Sequence, residues 1–158
     1  MKTRETFRNV PPLPLWIILA VLPMFATFGF SSQDAAHSGS LSELVLNWLL
    51  RSFPFLHGLG SVAQLHTAIR KLAHFSLYFI LGCGLRGLST YQQRFPAVPL
   101  VLAAGIAQAA LDEFHQRFTP GRGPSLFDVG IDTLGAATGC AVISLLFFLL
   151  RERLSRTS

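Results

Sequence analysis

Apolar residues fall in four long runs along this chain, separated by short stretches rich in Pro, Gly and charged residues. The first run, Leu13 to Phe30, has 18 uncharged residues, at the short end of what crosses a hydrocarbon core of ~30 Å. Trp16 near its start suits a membrane–water interface, and Pro23 predicts a kink because it removes a backbone donor mid-helix. The run empties into a polar corner, Phe30-Ser31-Ser32-Gln33. Next, Ser40 and Glu43 stand at capping-box spacing, and Leu41, Leu44, Val45, Trp48 and Phe53 follow at helical intervals. Glu43, Asn47 and Arg51 lie opposite, and Pro54 ends the pattern. A short helix with Trp and Phe on one face fits either the membrane surface or a packed loop.

Ser61 and Gln64 repeat the capping-box spacing and start a second helix, continuous into a span at 70–88. Arg70, His74 and Tyr78 recur at i+4 and share one face, which Gly82 and Arg86 continue. The third span, 97–118, is apolar to Leu111 and then turns polar without a breaker. Gln108, Asp112, His115 and Gln116 form an i, i+4, i+7, i+8 set there, with Glu113 beside them. Pro120-Gly121-Arg122-Gly123-Pro124 must end that helix. In the fourth span, 125–150, Asp128, Asp132, Gly135 and Gly139 make one stripe down a single face. Its Gly-x-x-x-Gly half permits close helix approach, either within the chain or in a homodimer through Gly135 and Gly139. The pattern therefore predicts an all-α polytopic membrane protein. It is a single domain over residues 1–158, a four-helix transmembrane bundle with spans at 13–30, 70–88, 97–118 and 125–150. An extra short interfacial helix lies between spans one and two.

Composition agrees with a membrane class: 51% of residues are hydrophobic, 13% are charged, and the mean hydropathy is +0.47. The formal charge of +5 sits at the ends of apolar runs, which leaves no basic face for phosphate backbones and excludes nucleic acid as a partner. Lys2, Arg4, Arg8, Arg86, Arg94, Arg151, Arg153 and Arg156 fall on one side of a four-span chain. Arg51, Arg70, Lys71, Arg117 and Arg122 fall on the other. The positive-inside bias then puts both termini in the cytoplasm. The N-terminus has the charged flank of a signal peptide, but Pro14 and Pro23 interrupt its run and no small-x-small cleavage site precedes Ser31, so a retained anchor is expected. Cys83 and Cys140 lie in apolar segments without other ligands at metal spacing and read as small packing residues.

This topology gathers the unusual residues. The stretch from Leu111 to Gly139 holds four of the eight acidic residues, Asp112, Glu113, Asp128 and Asp132. With Ser31 to Gln33, Arg70, Lys71, His74, Gln116 and Arg122 they belong to one outer membrane face, and ionisable groups at such depth mark a functional site by default. Three readings compete. Arg70, Lys71 and Arg122 can recognise a phosphate or carboxylate headgroup, Arg in a bidentate way, with His74 and Glu113 as acid and base. Gln33, Tyr78, Gln116, Asp128 and Asp132 would complete that ligand site, and the ligand would be a phospholipid or a lipid-linked envelope precursor. The Pro-Ser-Gly-His signature of membrane lipid phosphatases is missing, and no nucleophile stands beside a base. In the second reading Glu113, Asp128 and Asp132 bind a cation, completed by Gln116 or His74. In the third, Arg70 or Arg122 pairs with Asp128 or Asp132 and His74 with Glu113, while Asp112, His115 and Arg117 face water. No cofactor motif is legible, and catalysis and plain binding both remain open.

These residues also carry a resemblance. Phe30-Ser-Ser-Gln33, Arg70-Lys-Leu-Ala-His-Phe75 with Tyr78, Asp112-Glu-Phe-His-Gln116, Pro120-Gly-Arg122, Ser125-x-x-Asp128 and Ile131-Asp-Thr-x-Gly135 occur in the order seen in VanZ-like membrane proteins. The chain resembles that family over nearly its whole length. The resemblance implies a small bacterial integral protein of the cytoplasmic membrane. It also implies an envelope role, since the family's namesake is associated with resistance to the glycopeptide teicoplanin, which acts on the membrane's outer face. It supplies a setting without a mechanism.

Overall fold

The computed structural model describes residues 11–32, 35–91, 97–121 and 123–156, and every regular element among them is a helix, with no strand. Five α-helices follow one another: α1 Leu13–Ser31, α2 Ala35–Ser52, α3 Val62–Tyr91, α4 Ala97–Gln116 and α5 Leu126–Arg156. A 3-10 turn, Pro54–Gly58, links α2 to α3. The all-α expectation holds. Helices α1, α3 and α5 are long and apolar enough to cross a membrane. The expected third span exists as α4 but is not among those three, because Gln108, Asp112, Glu113 and Gln116 dilute its apolar character toward the C-terminus.

Local chemistry sets the helix ends. Pro12, in extended conformation, precedes α1, where a missing N–H costs nothing. The helix then runs through Pro23 to Ser31, and Ser32 closes it by donating its hydroxyl to the Phe28 carbonyl at 2.7 Å. The Ser61–Gln64 capping box forms in full: Ser61 N–H donates to Gln64 Oε1 at 2.9 Å, and Gln64 N–H donates to Ser61 Oγ at 3.3 Å. From there α3 runs for 30 residues, about 45 Å, so the span expected at 70–88 is the inner part of a longer rod. Helix α2 starts at Ala35, earlier than the cap at Ser40 implied, and stops before Pro54. Leu46 and Leu50 form its buried side, whereas Leu44, Val45 and Trp48 are exposed. Gly121 takes a positive φ of 75° in the turn after α4, a conformation that suits a residue without Cβ.

Helices α3 and α5 share the most extensive contact. They run parallel, since Lys71 meets Asp128, His74 meets Asp132 and Arg86 meets Ser144 along a nearly constant offset. Glycines make the approach possible. A Cβ on Gly135 or Gly139 would collide with the carbonyls of Phe75 and Phe79, and one on Gly82 with that of Ala136. The Gly-x-x-x-Gly face is thus filled by α3 of the same chain. Helix α1 packs antiparallel on α3 by the same device, Gly84 lying on the Leu19–Ala20 backbone and Gly87 under the Trp16 ring. Between helices solvated by lipid no hydrophobic force acts, so close van der Waals contact at small residues takes its place.

The core proper is small. Tyr78, Leu81, Ala109 and Ala136 form one buried cluster, and Trp16, Cys83 and Ile143 form another. Both cysteines are free and buried, and Cys83 Sγ contacts the Gly139 carbonyl at 3.5 Å, consistent with packing roles. Large apolar side chains face outward along α1, α4 and α5, among them Phe25 at 73%, Phe118 at 69% and Leu126 at 90% exposure. A coat of this extent belongs to a surface solvated by lipid.

Replacing Gly139 by Ala forces α5 off the Phe79 carbonyl and is expected to destabilise the protein by about 1–3 kcal/mol. Gly130→Ala, in the same helix with open space around it, leaves stability unchanged or slightly raised. Thermal unfolding of both variants in detergent checks the contrast.

Candidate functional site

At one end of the bundle α1 and α4 finish while α3 and α5 carry their first membrane-depth turns. Ser32 Oγ lies 3.0 Å from His115 Nε2, Gln116 Nε2 donates to Ser31 Oγ at 3.1 Å, and the Thr119 hydroxyl donates to the Ser31 carbonyl at 3.1 Å. The polar corner after α1 is therefore stitched to the end of α4. Arg70, Lys71, His74, Glu113, Gln116, Asp128, Ile131 and Asp132 line a cleft beside this seam. Seven residues expected from sequence at a ligand site thus come together. Tyr78 does not reach the cleft: it is fully buried beneath it, in the core cluster with Leu81 and Ala109. Gln33 and Arg122, the other two, lie outside the described residues.

The pairings differ from the simplest sequence expectation. Lys71, not an arginine, holds Asp128 in an ion pair, and the same ammonium stands 4.6 Å from the Phe127 ring centroid. Among the described residues Arg70 has no carboxylate partner. His74 does not meet Glu113. Its Nδ1 lies 3.5 Å from Asp132 Oδ2 and 3.8 Å from Asp112 Oδ2. Glu113 turns the other way and accepts the Ser125 N–H at 2.6 Å. Ser125 in turn caps α5, its hydroxyl accepting the Asp128 N–H at 3.3 Å. The Ser125–Asp128 spacing is that of a capping box, yet Glu113 from α4 supplies the returning carboxylate and so frees Asp128 for Lys71.

Asp112 is the residue that sequence reasoning misplaced. Expected to face water, it is only 2% exposed, and Asp132 is fully buried. A signal for it existed. Val101, Gly105 and Ala109 are buried at i+4 steps along α4, and the next step of that stripe falls on Asp112 and Glu113. Ser31 and Gln116 stand close to the Asp112 carboxylate, and Ser31, which accepts from Gln116, keeps its own hydroxyl proton, but among the described residues no donor is in good hydrogen-bond geometry to an oxygen of Asp112 or Asp132. The buried Tyr78 hydroxyl lies near Thr27 and in the field of both carboxylates, with no partner in good hydrogen-bond geometry among the described residues. Two layers result: a rim of Arg70, Lys71 and Asp128, and a floor of His74, Asp112 and Asp132, with the buried Glu113 in the wall between them. The floor residues are those whose donor atoms can surround one ion, all lying within 4.8 Å of one another.

The opposite end of the bundle is simpler. Arg86 Nε donates to Ser144 Oγ at 2.8 Å and its guanidinium lies 5.6 Å from the Phe147 ring centroid, so that charge is absorbed by hydroxyls and an aromatic face.

Glu113→Ala removes the acceptor for the Ser125 N–H and is expected to destabilise the protein by about 1–3 kcal/mol, whereas Glu113→Gln, which keeps an acceptor oxygen, recovers most of that loss. Melting temperatures in detergent separate the two substitutions.

Over residues 16–149 the sequence matches the family described as VanZ/LLP1. No curated protein and no solved structure matches the chain. The matched region begins at the Trp16 that packs against Gly87, takes in every residue of the cleft, and ends in the last turns of α5. Three membrane-length apolar helices, an outward apolar coat and this match together make the chain a membrane protein that belongs to the VanZ/LLP1 family.

Proposed function

We propose that this protein binds the anionic headgroup of an envelope lipid, a phospholipid or a lipid-linked precursor, at the rim of the cleft. The observation that carries this reading is Arg70, which lines the cleft and, among the described residues, has no acidic partner. A guanidinium held at membrane depth without a counter-charge is suited to take one from a ligand, as paired hydrogen bonds to phosphate or carboxylate. Lys71 adds a second charge that a competing anion can draw from Asp128. A shallow groove of about 410 Å³ lined by Ala63, Gln64, Thr67 and Ala68 meets the cleft at Lys71, and its small side chains leave room for a chain lying along α3. The cleft itself has room for only roughly one water or ion. The headgroup therefore engages the rim and leaves the floor untouched.

The membrane arrangement that goes with this reading has four spans. Helices α3 and α5 are parallel, so α4 must return the chain from one end to the other, and its 20 residues extend about 30 Å. Helix α2, with Leu44, Val45 and Trp48 exposed, lies on the outer surface of the bacterial plasma membrane. Both termini are cytoplasmic by the positive-inside bias, and the cleft opens outward. An outward cleft for envelope lipids fits the glycopeptide setting implied by the resemblance.

Two measurements test this. With purified protein in zwitterionic nanodiscs, added anionic phospholipid or lipid-linked precursor is expected to bind and to be detected by native mass spectrometry. Arg70→Ala should weaken that binding about 10-fold or more. Binding unchanged by the substitution would reduce the rim charges to a structural network. In cells, a Gly121→Cys variant lacking Cys83 and Cys140 should react with a membrane-impermeant thiol reagent from outside. Labelling only after the membrane is breached would invert the topology.

A further inference from the structure

The floor of the cleft is not used by headgroup binding, and its chemistry is distinct. Asp112 and Asp132 are 2% and 0% exposed, and among the described residues no donor is in good hydrogen-bond geometry to their side-chain oxygens. Two ionised carboxylates side by side in a buried site require positive charge close by. The nearest cations do not supply enough. Lys71 is engaged by Asp128, Arg70 lines the same cleft but forms no ion pair with either carboxylate, and protonated His74 would offset one charge of two. The atoms are nevertheless arranged around a common point. For a tetrahedral metal with ligand bonds of about 2.0–2.1 Å, neighbouring ligand atoms stand about 3.4 Å apart. His74 Nδ1 lies 3.5 Å and 3.8 Å from the nearest oxygens of Asp132 and Asp112, a few tenths of an ångström from that edge length, and all three ligand atoms lie within 4.8 Å of one another, so small side-chain rotations would close the set on an ion. Helices α3, α4 and α5 each contribute one ligand, so the site is made by the bundle and not by a local loop.

We propose that His74, Asp112 and Asp132 hold a single divalent transition-metal ion of the zinc or manganese class. One imidazole nitrogen and two carboxylate oxygens suit that class better than calcium or magnesium, which take six or more oxygens or keep most of their water. Three protein ligands leave a fourth position open toward the cleft, where Glu113 and Gln116 form the wall. The ion supplies the positive charge that the two buried carboxylates lack and locks three helices at one level. The metal site stands independently of what binds the rim.

The test uses the full-length protein, purified in detergent through a tag without histidines, stripped with a chelator and titrated with Zn²⁺, Mn²⁺ or Mg²⁺. Elemental analysis after desalting is expected to find about one Zn²⁺ or Mn²⁺ per chain and no retained Mg²⁺, with a melting temperature raised by several degrees. Asp132→Asn, Asp112→Asn and His74→Ala should each weaken binding by about 10-fold or more. In the stripped state Asp132→Asn should melt no lower than the unsubstituted protein, because it removes a buried charge, and this separates metal loss from misfolding. Arg70→Ala should retain the ion even where headgroup binding is lost. The proposal is overturned if the unsubstituted protein retains no stoichiometric Zn²⁺ or Mn²⁺ and shows no shift in melting. It is equally overturned if the His74 and Asp132 variants bind as the parent does.

Discussion

The contact on which everything else depends is the backbone-to-backbone approach of α3 and α5. Gly82, Gly135 and Gly139 remove the side chains that would hold the two helices apart, and carbonyls of one helix then lie against glycines of the other. Because the pair is parallel, closing this seam at its centre also brings the helix starts together. Lys71 then reaches Asp128 and His74 reaches Asp132 without any further adjustment. Small residues in the middle thus determine polar geometry at the end.

That polar end is costly, and the structure offsets the cost unevenly. At the rim and in the wall the charges are answered: Lys71 meets Asp128, and Glu113 meets a backbone N–H at the start of α5. Breaking such partly buried pairs by removing one member costs more than the pair contributes, which makes them better at fixing arrangement than at adding stability. At the floor the described residues answer the charges less fully. Asp112 and Asp132 both approach His74 Nδ1, and among the described residues neither carboxylate has a donor in good hydrogen-bond geometry. An arrangement kept at such expense in a chain with few other polar core groups is a natural place for function.

The outer surface follows the opposite logic from that of a water-soluble bundle. Bulky Phe and Leu side chains point outward while the interior holds Gly, Ala, Ser and Thr along with the polar cluster. Lipid solvates the bulky groups, so nothing drives them inward, and the inside is reserved for residues that allow close approach or hydrogen bonding. The VanZ/LLP1 match covers this whole arrangement.

The order of residues alone determined the helices, their caps and breakers, and the fact that acids, bases and hydroxyls from four segments share one end. These are consequences of periodicity, of Pro and Gly, and of charge placement, all local or additive along the chain. The Ser61–Gln64 box and the buried glycine stripe were legible for that reason. Which acid meets which base was not legible. Asp112 and Glu113 are neighbours in sequence but about 100° apart around α4, so one turns to His74 and Asp132 and the other to Ser125. Tyr78 shares a helical face with Arg70 and His74, yet one turn of depth places it in the core. Only the rotation and register of α3, α4 and α5 against one another decide such choices, and those are set by glycine contacts between segments far apart in sequence, 54 to 60 residues for α3 with α5 and 31 for Gly105 of α4 with Ala136.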